Sequence, residues 1–194
     1  MDIDKVKVNF LKDVKDHKMS ILRDDGLYRH LKFSRNNSSV YQFHLITWPG
    51  HLTITGDMGS NIFSRVSDMF TFFREKDLSI NPGYWHEKLE VGKSEACPFS
   101  VDMFKYKVEC MVRDALELED AAELPKDLPY DLDEILDASD EWECIEALRN
   151  YDSNDVVDLS DWWECRFTDY TYHYIWQCYA IVYGINEYDK IKEQ

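Results

Sequence analysis

Three histidines, His30, His44 and His51, fall on one face of a predicted β-sheet. Imidazole nitrogens are common zinc ligands, but a zinc site needs three or four side chains that converge on the ion. No acidic or thiol side chain of the sequence obviously completes such a set. We therefore expect surface or interface histidines, and we predict neither a metal nor any other cofactor.

A glycine-rich segment, Gly56-Asp57-Met58-Gly59, could bring backbone amides to a phosphate. It is not a P-loop, because no Gly-Lys-Ser/Thr follows, and it is not a Gly-x-Gly-x-x-Gly motif. We expect a structural turn capped by Asp57. The alternative is a nucleotide- or small-ligand-binding site that combines this loop with the His/Trp sheet face and two arginines, through His44, Trp48, His51, Gly56, Asp57, Gly59, Arg65 and Arg74.

The cysteines do not form a catalytic motif. The five cysteines, at positions 97, 110, 144, 165 and 178, are odd in number and irregularly spaced, which is typical of reduced thiols rather than of disulfides. A cysteine nucleophile needs a histidine base on the same face, and Cys178 lies five residues after His173. Carboxylates near Cys110 and Cys144 would raise a thiol pKa. We predict that the protein is not an enzyme.

The negative charge of the chain is confined to one segment. Residues 1–109 hold 16 Lys+Arg and 15 Asp+Glu, a net charge of +1. Residues 110–165 hold 3 basic and 19 acidic residues, a net charge of −16. Residues 166–194 hold 3 basic and 4 acidic residues, a net charge of −1. An asymmetry of this kind concerns partners rather than fold.

Carboxylates spaced along helices can imitate the anionic charges of a nucleic-acid backbone and occupy the Lys/Arg groove of a protein. A solvated helix face is the ordinary alternative, and Glu141, Glu143 and Glu146 could also include a catalytic pair. We expect a basic protein as the partner, without direct nucleic acid binding. The predicted partner-binding acids are Glu117, Glu119, Asp120, Asp133, Glu134, Asp137, Asp140 and Glu141.

These groups are positioned by an α+β fold. Helical spacing predicts a helix over residues 3–23, and alternation predicts strands over 28–33, 40–48 and 51–55, which form a three-stranded antiparallel meander. If Trp48 opposes His51, parity assigns Leu31, Phe33, Tyr41, Phe43, Leu45, Leu52 and Ile54 to the core face. Ser64 or Ser67 is expected to cap the next helix, over residues 68–74.

The C-terminal half is predicted to be acidic and mostly helical. One helix is expected over residues 132–149, with Trp142 among its inward-facing residues, and a final core helix over 168–191. We expect a single domain, 1–194, in which 1–109 is a nearly neutral α/β core, 110–165 is the acidic helical region and 166–194 is the C-terminal core helix.

The sequence contains no run of 18 or more apolar residues, and Met1 to Lys5 do not resemble a secretory signal. We therefore expect no membrane contact and a cytoplasmic location. Aromatic residues such as Trp48, Trp162 and Trp163 are compatible with a homodimer.

Several motifs resemble a family of uncharacterised small accessory proteins of tailed phages and prophages. They include Thr47-Trp48-Pro49-Gly50, Gly56-Asp57-Met58-Gly59 and Ile80-Asn81-Pro82-Gly83-Tyr84-Trp85, with further segments at 26–33, 63–65, 68–70, 72–74, 87–88, 99–100, 174–176, 178–185 and 188–189. The resemblance covers roughly 24–110 and 170–190. It implies a viral accessory protein in a bacterial cytoplasm, and small acidic proteins of this kind often block host defences such as CRISPR and restriction enzymes. We therefore expect a non-enzymatic, anti-CRISPR-like inhibitor of a host defence effector.

Overall fold

The computed structural model describes residues 1–119, 123–125, 130–152 and 157–193. They form two compact units, the sheet unit (Met1–Cys97 with Tyr170–Gln194) and the acidic unit (Pro98–Asp169). The described residues contain eight α-helices and six strands: α1 (Ile3–Val14), β1 (Lys18–Asp25), β2 (Tyr28–Ser34), β3 (Phe43–Trp48), β4 (His51–Gly56), β5 (Gly59–Ser64), α2 (Met69–Phe73), α3 (Pro82–Glu87), β6 (Leu89–Val91), α4 (Lys93–Ala96), α5 (Val101–Ala115), α6 (Tyr130–Asp137), α7 (Glu141–Asn150) and α8 (Tyr172–Lys192).

The sheet unit confirms the α+β class, but its sheet is larger than the predicted three strands. Six strands pair antiparallel in sequence order, β1 to β6. Trp48 opposes His51, as expected. The predicted core residues of β2, β3 and β4 are buried, and the partly buried Tyr41 packs against them from the turn before β3. Side chains of α1, α2, α3 and α8 join this core, so the helices cover one face of the sheet.

The predicted helix over 3–23 is wrong after Val14. Asp2 caps α1, and Val6, Phe10 and Val14 form its buried stripe. Beyond this point the apolar residues alternate, and Met19 and Ile21 lie opposite residues of β2 in the ladder of β1. Pairing with a neighbouring strand therefore determines the conformation of a segment whose own composition is ambiguous.

The segment after β4 also differs from the prediction, because the glycine motif forms a tight turn that leads directly into another strand, β5. Gly56 and Gly59 face each other at the end of the β4–β5 hairpin. A Cβ atom on Gly56 would lie 2.1 Å from the carbonyl oxygen of Gln42, which explains the glycine. Asp68, rather than Ser64 or Ser67, caps α2 by accepting a hydrogen bond from the backbone N–H of Phe70.

Helix α8 is the central helix of the sheet unit. Twelve of its 21 residues are buried, so it is apolar around most of its circumference. Gly184 allows close packing on the sheet, since a Cβ atom there would lie 2.5 Å from Leu45 Cδ1. Within the described residues, no helix combines the length and apolar composition that a membrane span requires.

The acidic unit has a hydrophobic core of its own. Phe104, Val108 and Val112 of α5 pack in one cluster with residues of α6 and α7. The predicted single helix over 132–149 is two helices, because Asp140 accepts a hydrogen bond from Glu143 N at 2.9 Å and starts α7 anew. The predicted single-domain organisation stays a prediction, and the unit boundaries lie at 97/98 and 169/170 rather than at 109/110 and 165/166.

Candidate functional site

The division into compact units coincides with the division of charge. Residues 98–169 hold 22 Asp+Glu against 6 Lys+Arg, which gives the acidic unit a net charge of −16. The sheet unit holds 16 of each and is formally neutral. The unit boundaries therefore separate the charges more cleanly than the segment boundaries chosen from the sequence.

The predicted partner-binding acids that the structure describes are all exposed. Glu117 and Glu119 follow the end of α5, and the others lie on α6, at the start of α7 or at its N-cap: Asp133, Glu134, Asp137, Asp140 and Glu141. Asp120 lies outside the described residues. The acids of α6 and α7 thus form one exposed anionic surface of the acidic unit.

A groove of about 530 Å³ runs along this surface, between α6 and α7. We call it the Trp142 groove, because the Trp142 side chain is 72% exposed among its acidic lining residues. The prediction that Trp142 faces inward is wrong. The new start of α7 sets the helix phase so that Cys144 and Leu148 face the core, and Trp142 points to solvent.

The acidic unit contains few basic residues that could offset its carboxylates. Glu146 accepts from Arg149 at 2.9 Å, and Glu109 of α5 accepts from Arg113 at 2.9 Å. Glu143 accepts from the backbone N–H and the hydroxyl of Ser139. With six basic residues for 22 acids, internal pairing can neutralise only a minority of the charge. The surface can therefore attract an external cationic group.

A second concave region, the hairpin cleft, lies in the sheet unit and has a volume of about 270 Å³. The β4–β5 turn, α4 and the start of α8 line it. Of the eight residues predicted for a small-ligand site, Asp57 and Gly59 are among its lining residues. Asp57 Oδ2 accepts a hydrogen bond from the backbone N–H of Tyr41 at 2.8 Å. Asp57 therefore caps the turn before β3 rather than the β4–β5 turn in which it lies.

The two arginines of the predicted ligand site lie away from the hairpin cleft. Arg74 forms a bidentate ion pair with Asp189, with N···O distances of 2.7 and 3.0 Å. Arg65 is exposed and follows β5. Among the described residues that line the hairpin cleft, none supplies a guanidinium that could bind phosphate.

The His/Trp face consists of ring contacts made within the sheet. His30 Nε2 lies 2.8 Å from His44 Nδ1, and the Trp48 ring stacks on His51 at 4.9 Å. Partial burial, together with His30 and Lys32, lowers the pKa of His44, so its neutral form is favoured. Among the described residues, no three His, Cys, Asp or Glu side chains converge closely enough to hold a metal ion.

Neither buried cysteine has the environment of a nucleophile. Burial raises the pKa of the Cys178 thiol well above its usual range, although a hydrogen bond with Tyr174 acts in the opposite direction. Burial also raises the pKa of Cys144. A nucleophilic cysteine needs a lowered thiol pKa, so the geometry does not favour one at either position.

Two residues of the hairpin cleft were missed by sequence reasoning. Asn61 and Gln177 are 6% and 2% exposed, and Asn61 Nδ2 donates to Gln177 Oε1 at 2.5 Å. A signal existed for Gln177, because an amide within an otherwise apolar helix requires a hydrogen-bond partner. The partner could not be identified, since the two residues are 116 positions apart.

Comparison with protein-family models, curated proteins and solved structures finds no match for this chain.

Proposed function

We propose that this chain is a phage-encoded, non-enzymatic inhibitor of a host defence effector, and that its acidic unit binds the basic nucleic-acid-binding surface of that effector. A CRISPR complex is the leading candidate partner. The role assigned to the acidic unit is to present carboxylates where the effector would otherwise contact phosphates. The phage origin and the defence target rest on the motif resemblance.

The observation that carries the proposal is the confinement of a net charge of −16 to one compact unit. Concentrated like charge destabilises the compact state through self-repulsion. A solvated helix face explains single carboxylates, but it does not explain why one unit holds the entire imbalance while the other is neutral. Binding to a basic surface would offset the repulsion and release counterions from both partners.

The exposed tryptophans support a binding role. Trp142 and Trp163 are 72% and 67% exposed, and both belong to the acidic unit. Tryptophan is enriched among residues that dominate binding energy at protein interfaces. An indole beside carboxylates also suits an arginine or lysine, because the cation stacks on the ring while the carboxylates pair with it. Charge and aromatic surface thus favour the same class of partner.

Affinity capture from a bacterial lysate, at low and at high salt, tests the proposal. We expect nucleic-acid-binding proteins to be retained at low salt, to elute as salt rises and to be displaced by added double-stranded DNA. A retained effector should then lose DNA binding when the purified protein is added. Retention of partners that resist both salt and DNA would contradict the electrostatic mechanism.

A nucleotide-binding function receives less support from the geometry. A phosphate needs cationic or amide donors, whereas Arg74 is already paired with Asp189 and the hairpin cleft carries carboxylates. We therefore do not propose a nucleotide as the ligand of the sheet unit.

A further inference from the structure

The hairpin cleft contains a chain of polar groups whose hydrogen bonds cannot all be satisfied internally. Gln177 Nε2 donates to the carbonyl oxygen of Met58 at 2.7 Å, and Gln177 Oε1 accepts from Asn61 Nδ2. The remaining oxygen of Asn61 then faces two further acceptors, the carbonyl oxygens of Ser60 at 3.2 Å and of Val91 at 3.3 Å. One end of the chain is left with converging oxygens.

Rotating the amides does not remove this conflict. If Asn61 is turned over, its nitrogen donates to both carbonyls, but its oxygen meets Gln177 Oε1 at 2.5 Å. If Gln177 is turned over as well, its oxygen meets the carbonyl oxygen of Met58 at 2.7 Å. Two amides between acceptors at both ends always leave one acceptor–acceptor contact, which an external hydrogen-bond donor would relieve.

The charges of the cleft indicate what kind of donor fits. Asp57 and Glu95 contribute carboxylates to the lining, and none of the lining residues that the structure describes is a lysine or an arginine. Anionic ligands are therefore disfavoured. A metal ion is also disfavoured, because the described carboxylates, histidines and thiols do not form a cluster of three or more. A cation that carries several N–H donors satisfies both the carboxylates and the unpaired oxygens.

We propose that the hairpin cleft binds a small organic cation, with an ammonium or guanidinium group placed at the carboxylates and at the Asn61–Gln177 amide pair. Two glycines border the amide pair. A Cβ atom on Gly59 would make an ordinary van der Waals contact with Gln177 Nε2 at 3.5 Å, so the positive φ of 90° explains glycine at that position. A Gly92 Cβ would lie within bonding distance of Asn61 Oδ1, at 1.8 Å, so Asn61 needs glycine at that position.

Calorimetric titration with agmatine, which carries a guanidinium and an ammonium group, tests the site. We expect one agmatine per chain at the cleft, and we expect Glu95→Gln to weaken binding roughly tenfold or more, as for loss of a charge-assisted hydrogen bond. Glu95 is exposed, so this change should leave the fold intact. Glu75→Gln removes the same charge at an exposed site of the sheet unit outside the cleft and should leave agmatine affinity within about twofold.

Two further probes separate specific recognition from attraction to an acidic protein. Tetramethylammonium has the charge but no N–H donor, and AMP represents the anionic class; neither should compete with agmatine. Equal weakening by Glu95→Gln and Glu75→Gln would overturn the proposal, as would competition by tetramethylammonium or AMP. Absence of agmatine binding would also overturn it, and would indicate that water supplies the missing donor.

Discussion

Charge reversal on the acidic unit is the most direct perturbation of the proposed interface. Asp133, Glu134, Asp137 and Glu141 are exposed on α6 and at the start of α7. Changing all four to lysine adds eight charges and brings the formal net charge from −16 to −8. None of the four is buried, so the variant should keep the helical content and the unfolding midpoint of the parent protein.

The expected loss of affinity follows from the exposure of these side chains. An exposed ion pair contributes about 0.5 kcal/mol, and reversal replaces that attraction with a repulsion of similar size. Each site therefore costs roughly 1 kcal/mol, and four sites cost about 4 kcal/mol, or about a thousandfold in Kd. The loss should be largest at low ionic strength, because salt screens exposed charges beyond about 8 Å at physiological concentration.

A matched control variant distinguishes the effect of where the charges are reversed from the effect of net charge. Asp16, Asp25, Glu75 and Glu87 are exposed acids of the sheet unit, and their change to lysine also gives a net charge of −8. Kd is measured by interferometry against an effector retained in the capture experiment, across a series of salt concentrations. An equal loss of affinity in both quadruple variants would show that net charge rather than the acidic surface governs binding, contrary to the proposal.

Three further predictions concern single residues. Trp142→Ala should raise the Kd of the same interaction roughly thirtyfold, the usual effect of losing a tryptophan hot spot. The free energy of unfolding, measured in urea, should change by less than about 0.5 kcal/mol. An unchanged Kd would exclude the indole from the interface. Gly56→Ala should lower stability by at least about 2 kcal/mol, since its Cβ meets backbone atoms. Gly50→Ala, where a Cβ meets nothing within 4 Å, should cost less, and equal losses in thermal unfolding would contradict the steric argument. The Arg29 guanidinium lowers the pKa of Asp68 below its ordinary value of 3.8; the stabilisation is present above that pH and is lost as pH falls through the lower folded-state pKa. Asp68→Asn should therefore reduce the loss of unfolding free energy as the pH falls below 3.8. An unchanged pH dependence would show that the pair with Arg29 contributes little to stability.

The core face of β2, β3 and β4 could be predicted because its signal is local. Leu31, Leu45 and Ile54 alternate with polar neighbours within their own strands, and they lie opposite each other in the sheet as parity requires. β1 and β5 could not be predicted in the same way. Lys18–Asp25 is mostly exposed and half of its residues are charged, and Gly59–Ser64 begins with glycine and serine, so both become strands through pairing with a neighbour.

The exposure of Trp142 required the tertiary structure for another reason. On a continuous helix, Trp142 would lie about two turns after the buried Ile135 and on the same face, but the break before α7 removes that phase relation. A cap at Asp140 can be recognised in the sequence only after the helix is known to stop there. The groove beside Trp142 therefore depends on the separation of α6 and α7, which the sequence pattern did not predict.

The sequence by itself determined the charge imbalance, because formal charge depends on residue types and their order. It also determined that neither a P-loop nor a Gly-x-Gly-x-x-Gly motif is present, since those two motifs are local spacings. Only the tertiary structure decided that the imbalance belongs to one compact unit and that Asn61 meets Gln177 across 116 positions. Contacts between distant segments depend on how strands and helices pack, and that packing is settled by the burial of the whole core rather than by either residue alone.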